Sequence, residues 1–207
     1  MKKIVLMGIL LVALILGFHP LQSAQAAEPQ IRHISPEIQK AVAETDYKSV
    51  RIKKFPIAAE GWTFRAFTFA DMLTKLRHLG VTGLEAFTGQ ALSADMPGVK
   101  FDVGMTPDQI AKVKEWLRAA GVTMYGIGVV DIGKTEESMR KVFDFARTMG
   151  LQTVVCEPAD DDFTLLEKLV QEYNIQIAIH NHPAPAKYNL PETVFSHVNG
   201  KDPRIGS

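Results

Sequence analysis

The stretch "LRHLGVTGLEAF" (76–87) begins like the last turn of an amphipathic helix, passes through Gly80, and runs at once into an apolar strand that ends in Glu85. The same plan returns in "LRAAGVTMYGIGVV" (117–130), "ARTMGLQTVVCEP" (146–158) and "VQEYNIQIAIHNHP" (170–183). The residue at the break is Gly121, Gly150 or Asn174, and both types tolerate the left-handed backbone that ends a helix. Each stretch is therefore a helix-to-strand junction, and four of them in succession make a repeated βα unit.

The helices that lead into these junctions have readable starts. Thr68 is placed as the N-cap of "FADMLTKLRHL" (69–79). Thr106 is the N-cap of the next, with Pro107 at its first position. Thr135 opens the third, which carries Met139, Val142, Phe143 and Ala146 at helical spacing, and "DFTLLEKLVQEY" (162–173) is the fourth. Strands are expected at 57–64, 82–87, 122–130, 152–157 and 175–181. Strands alternating with helices imply a parallel sheet in an α/β fold.

Two architectures satisfy that order: an open doubly wound sheet and a (β/α)8 TIM barrel. The first strand leads into "AAEGWTFRAFT" (58–68), which lacks the Gly-rich turn of a dinucleotide-binding unit. Polar residues recur at strand C-terminal ends: Glu60, Trp62 and Arg65, then Glu85, Asp131, Glu157, and His180 with His182. In a barrel those ends meet at one mouth, which favours the barrel. A full barrel takes about 250 residues, and "DPRIGS" (202–207) opens only a sixth strand. The expectation is a truncated, incomplete barrel of about five and a half β/α units over 57–207. Its free edges and apolar interior would make it aggregate or pair, with a homo-oligomer as one outcome.

The chain has 207 residues. "MKK", an apolar run at 4–18 and "AQA" at 24–26 have the form of a secretory signal over 1–26, so an exported protein, periplasmic or extracellular, is expected. Residues 27–56 read as an irregular leader with a short helix at 36–44. No second long apolar span follows, so no stable membrane anchor is expected after cleavage. The single cysteine, Cys156, excludes an internal disulfide and fits a small buried apolar role. Lys plus Arg and Asp plus Glu both number 23, giving a net charge of zero without the basic footprint of a nucleic-acid binder.

Side chains alternate along a strand. Ile175, Ile177 and Ile179 are expected to lie under the helices, which points Gln176, Ala178, His180 and His182 into the mouth with His182 nearer the rim. Glu157 is in phase with Thr153 and Val155 and reaches the same place. Two imidazoles and a carboxylate form half of a divalent-metal site suited to Zn, Mn, Fe or Co. Glu85 is a further site candidate, and Trp62 and Arg65 are candidates for lining a substrate pocket. Asp131 reads as a turn residue, and His78 and His197 as solvent-facing.

"GWTFRAFTFADMLTKLRHLGVTGLEAF" (61–87) resembles the first βαβ of the xylose isomerase-like TIM barrels, which include sugar phosphate isomerases/epimerases, inosose dehydratase and AP endonucleases. "AAGVTMYGIGV" (119–129) and "MGLQTVVCEP" (149–158) are similar to its third and fourth strands, and the resemblance covers roughly 55–207. It implies a divalent metal (Mn, Zn, Co, Fe or Mg) at the barrel mouth and proton abstraction next to a sugar carbonyl. Many epimerases have a glutamate at the end of strand five. Here "IHNHP" (179–183) stands there, closer to the inosose dehydratase-like members, and the family's further ligands come from later strands. Carried onto this chain, His182, His180 and Glu157 are the expected metal ligands, Glu157, His180 and Glu85 the catalytic candidates, and Trp62 and Arg65 the substrate-binding ones. The leading expectation is an exported isomerase or epimerase of a free sugar or polyol. The alternatives are a non-catalytic carbohydrate-binding barrel and, disfavoured by zero charge and export, a metal-dependent nuclease.

Overall fold

The computed structural model describes residues 51–52 and 55–206; the expected signal segment and the helix at 36–44 lie outside them. Strands β1 (Arg51–Ile52) and β2 (Phe55–Pro56) pair antiparallel. The repeated units then supply β3 (Ala58–Glu60), helix α1 (Phe69–Leu79), β4 (Gly83–Ala86), a short antiparallel pair β5 (Gln90–Ala91) and β6 (Lys100–Phe101), and helix α2 (Pro107–Ala120). After them come β7 (Thr123–Ile127), α3 (Glu136–Met149), β8 (Thr153–Cys156), α4 (Phe163–Tyr173), β9 (Gln176–Ile179), α5 (Pro191–Val198) and β10 (Ile205–Gly206).

The caps explain why the helices start and stop where the sequence indicates. The Thr68, Thr106 and Thr135 side chains each accept the backbone N–H three residues on, and Gln109 and Ser138 complete capping boxes. Gly80, Gly121 and Gly150 end their helices at φ of 67°, 69° and 77°, and Asn174 does so at 52°. The strands are shorter than the apolar runs. The first stops at Glu60 because its carboxylate accepts the Trp62 N–H at 2.9 Å and turns the chain into a 3-10 helix, Gly61–Phe64.

Six strands form one parallel sheet in the order β3-β4-β7-β8-β9-β10, which is their order in the chain. A doubly wound sheet reverses its strand order at a switch point, and this sheet has none. The helices accordingly cover one face. Leu84, Ala86, Met124, Ile127, Val154, Cys156, Ile177 and Ile179 are buried there in one cluster with Met72, Leu117, Phe143 and Leu166 from the helices. The three isoleucines of 175–179 lie under the helices as expected. β3 and β10 end the sheet, and no pairing joins them among the described residues.

The other face corrects an expectation. The interior was expected to be apolar, yet Ala58, Glu60 and Gln176 are exposed there, and Glu85, Thr153 and Ala178 are half-buried. The Thr153 hydroxyl donates to Gln176 Oε1 at 3.3 Å across it. Buried Val155 and Phe87 share this face, so its character is mixed.

The core also contains an element the rhythm does not announce. The β5–β6 pair carries Leu92 and Phe101 inward, both fully buried. The Phe101 ring stacks on Phe69 at 4.7 Å and meets Phe145 edge-on at 5.9 Å. His197, expected to face solvent, instead has a side chain only 20% exposed. Its ring nitrogens lie 2.7 Å from the Thr193 carbonyl and 2.7 Å from Asp160. His78 is exposed as expected, and Asp131 accepts the Gly133 N–H in a turn. Cys156 is buried, and burial first of all pushes its thiol up to about 12, which suits packing and not nucleophilic chemistry. Among the described residues no helix is long and apolar enough to cross a membrane.

Candidate functional site

Parallel strands place all their C-terminal ends on one edge of the sheet, and a cleft of about 300 Å³ opens there, lined by Glu60, Trp62, Phe87, Thr88, Gly128, Val129, His180 and His182. Trp62 comes from the 3-10 turn after β3. Its indole is 56% exposed and rests edge-on against Phe87, with centroids 5.1 Å apart. Phe87 and Thr88 follow β4 directly. His180 continues β9, its backbone N–H donating to the Cys156 carbonyl at 2.9 Å. His182 stands two residues on, half-exposed, with its ring 4.6 Å from that of His180.

The contact that gives the cleft a chemistry crosses between strands. His182 Nε2 lies 2.9 Å from Glu157 Oε1, at the end of β8. A carboxylate in ion-pair contact with one imidazole nitrogen restricts where the ring can turn, an arrangement compatible with a general base. The sequence candidates thus divide. Trp62, His180 and His182 share one cleft, and Glu157 joins through His182. Arg65 is outside the lining: its guanidinium sits 5.5 Å from the Trp62 ring and donates to the Trp62 carbonyl at 3.3 Å.

Glu85 is also outside the lining. It lies on the inward face in register with Glu60 of β3, leaning over Gly126. Burial, and secondarily the Glu60 charge beside it, hold its carboxyl above the usual carboxylate range. A carboxyl that holds its proton more tightly in the folded chain contributes stability that is complete below its unfolded value and is lost as pH rises through the folded one. Glu85→Gln is therefore expected to melt above the wild type at neutral pH. That advantage should vanish as the pH is lowered to about 4, and melting curves at both pH values check it.

The residues do not by themselves fit the expected metal. No group of three or more His, Cys, Asp or Glu side chains gathers around a common point among the described residues. Glu157 is turned to His182, whereas catalytic zinc-type sites take three protein ligands.

No protein-family model and no curated protein matches the chain. Among solved structures, an uncharacterised protein from Parabacteroides distasonis is similar at 31% identity with a TM-score of 0.63, over 72% of this chain and 60% of that one. A sugar phosphate isomerase/epimerase from the same organism is similar at 13% identity with a TM-score of 0.49, over 72% of this chain and 65% of that one. The chain thus spans less than two thirds of the length of either.

Several lining residues escape sequence reasoning. Phe87 is in phase with Glu85 at the end of β4, and that alternation could have found it. Glu60 was visible as a strand end, without its pairing to Glu85. Gly128 and Val129 carry no local signal. Gly128 is set by close approach: a Cβ there would lie 2.3 Å from the Val155 Cβ and 3.0 Å from its carbonyl oxygen. Gly128→Ala is expected to cost about 1–3 kcal/mol of stability through overpacking. It should cost clearly less in a Val155→Gly background, a coupling that chemical denaturation of the four proteins measures.

Proposed function

We propose that the cleft binds a single sugar or polyol and that the protein is an isomerase- or epimerase-type enzyme moving a proton next to the sugar's carbonyl. The observation that carries this reading is the Glu157–His182 pair at the edge of a cleft walled by a half-exposed tryptophan. Its volume is at the small end of ligand pockets, which suits one sugar ring. An indole face offers an apolar surface to the C–H side of that ring. The singly wound sheet, with helices on one face, supports a (β/α)8 barrel-type fold, where chemistry sits at strand C-terminal ends. The apolar segment at 4–18, read as a secretory signal, makes a free sugar the fitting substrate.

In this mechanism neutral His182, beside Glu157, takes the proton from the carbon next to the carbonyl; the C–H electron pair becomes the carbon–carbon double bond and the carbonyl π pair moves onto the oxygen, giving an enediolate. The His180 ring donates a hydrogen bond to the developing oxyanion. The proton then returns to the former carbonyl carbon while the neighbouring hydroxyl proton passes to the oxyanion, which re-forms the carbonyl one position along and gives the isomer; protonation of the first carbon from the opposite face by solvent, with His182 releasing its proton to solvent, gives the epimer. A divalent metal, as the resemblance implies, would act as a Lewis acid on the sugar oxygens. It would need a ligand beyond His182, His180 and Glu157, and no step here runs through it.

A second reading is a carbohydrate-binding protein without turnover, since the half-exposed Trp62 walls the cleft whether or not a proton is moved there. Two measurements separate them. Tryptophan fluorescence, in a Trp116→Phe background that leaves Trp62 as the reporter, is titrated with a panel of monosaccharides and polyols. The sugars that bind are then incubated with protein in D2O and their C–H signals followed by NMR. Binding with deuterium wash-in supports the enzyme, and binding without it supports the second reading. No binding across the panel overturns both.

A further inference from the structure

Trp62 is a half-exposed indole on a turn of a few residues, and such a side chain works as a binding platform only if the turn is held. The segment 61–67 is fastened at its start by two contacts already described or implied by packing. The Glu60 carboxylate accepts the Trp62 N–H. Gly61 lies so close to β4 that a Cβ there would be 3.0 Å from the Glu85 carbonyl oxygen. The other end is held from a distance in sequence. Gln90, on β5, is 2% exposed, and its Nε2 donates to the carbonyls of Phe64 at 3.3 Å and Phe67 at 3.1 Å. These two carbonyls bracket the exit of the turn.

The choice of residue is informative. Gln90 Oε1 is buried without a hydrogen-bond partner among the described residues. Leaving half of a buried amide unsatisfied is unfavourable, so the position is occupied for its NH2 group, which offers two N–H donors to two carbonyls. A carboxylate has no donor, and an apolar side chain of the same length would leave the Phe67 carbonyl unserved and the Phe64 carbonyl with only the Phe67 N–H at 2.9 Å.

We infer that Gln90 is a positioning residue for Trp62: its buried amide holds the 61–67 turn so that the indole wall of the cleft is preformed before a sugar arrives. The inference rests on the sugar-binding reading for its consequence, although not for its geometry. A preformed wall spares the ligand the cost of ordering the turn and the side chain on binding. Losing it weakens affinity without touching the proton-transfer groups, which follow β8 and β9.

The test uses Gln90→Met in the Trp116→Phe protein. The expected result without ligand is lower fluorescence anisotropy of Trp62 and stronger quenching by acrylamide. With the best-binding sugar of the panel, the dissociation constant or KM should rise about fivefold with kcat unchanged. In a Trp62→Ala background, with binding followed by calorimetry, the same substitution should leave affinity unaltered, because nothing remains to be positioned. Gln90→Asn, which keeps the amide and withdraws it by one methylene, serves with the same expectations where the methionine variant does not fold. Unchanged anisotropy and quenching overturn the inference, and so does an affinity loss that adds fully to that of Trp62→Ala. Should the parent protein bind no sugar, the sugar reading falls while the ligand-free arm still decides the role of Gln90.

Discussion

His182→Ala is expected to lower turnover of a sugar substrate by about 10²–10⁴-fold, the span of a positioned general base, with its melting temperature almost unmoved. The two halves follow from one geometry. The ring stands in the cleft with Glu157 on its Nε2 at 2.9 Å, yet it is half-exposed and buries no core contact. Exposed substitutions of this kind stay within about 0.5 kcal/mol. Glu157→Gln should cost less than His182→Ala, since it keeps the imidazole and changes only the group beside it. The double variant should be no slower than His182→Ala alone, because groups acting as a unit are not additive. Steady-state kinetics of the four proteins measure this, and an unchanged rate for His182→Ala would end the catalytic reading.

The largest expected loss of stability lies elsewhere. Phe101→Ala removes a fully buried ring that stacks on Phe69 and meets Phe145 edge-on. Truncating such a side chain costs about 3–5 kcal/mol, transfer and cavity together. At about 2–4 °C per kcal/mol for a chain of this size, the melting temperature should fall on the order of 10 °C. Phe101 is also the register partner of Gln90, so the variant should loosen Trp62 as well, a change the indole's anisotropy reports. A loss below about 1 kcal/mol would mean that the β5–β6 pair is peripheral to the core.

The elements were legible in the sequence wherever local chemistry dictates them. Thr68, Thr106 and Thr135 cap helices, and Gly80, Gly121, Gly150 and Asn174 end them, because capping and left-handed backbone depend on a few neighbouring residues. The β5–β6 pair was not legible, since strands of two residues are too short to show alternation. His197 was misplaced because its partner Asp160 comes from another unit, and helix position alone says nothing of that. Alternation correctly put His180 and His182 on one face. Arg65, read as the end of a strand, lies just past a 3-10 turn and outside the cleft lining. The polar inward face could have been read from Ala58, Glu60, Thr153, Gln176 and Ala178, all in phase with the site. The Glu157–His182 contact depends on the register of β8 against β9, Cys156 opposite Ile179, and no local pattern fixes that.

The strand order carries a consequence for how the chain assembles. Each strand of the sheet pairs with the strand that the preceding unit has just laid down, so no step requires a distant segment to arrive first. Every pairing closes a loop of about one helical unit, and loop-closure entropy grows only with the logarithm of loop length. Growth from the β3 side can therefore keep pace with synthesis, each newly emerged unit finding its template already in place. A ribosome-stalled chain ending after β8 should already protect the amides of β4 and β7 from hydrogen exchange, whereas a sheet with an out-of-order strand would have to wait for its last piece.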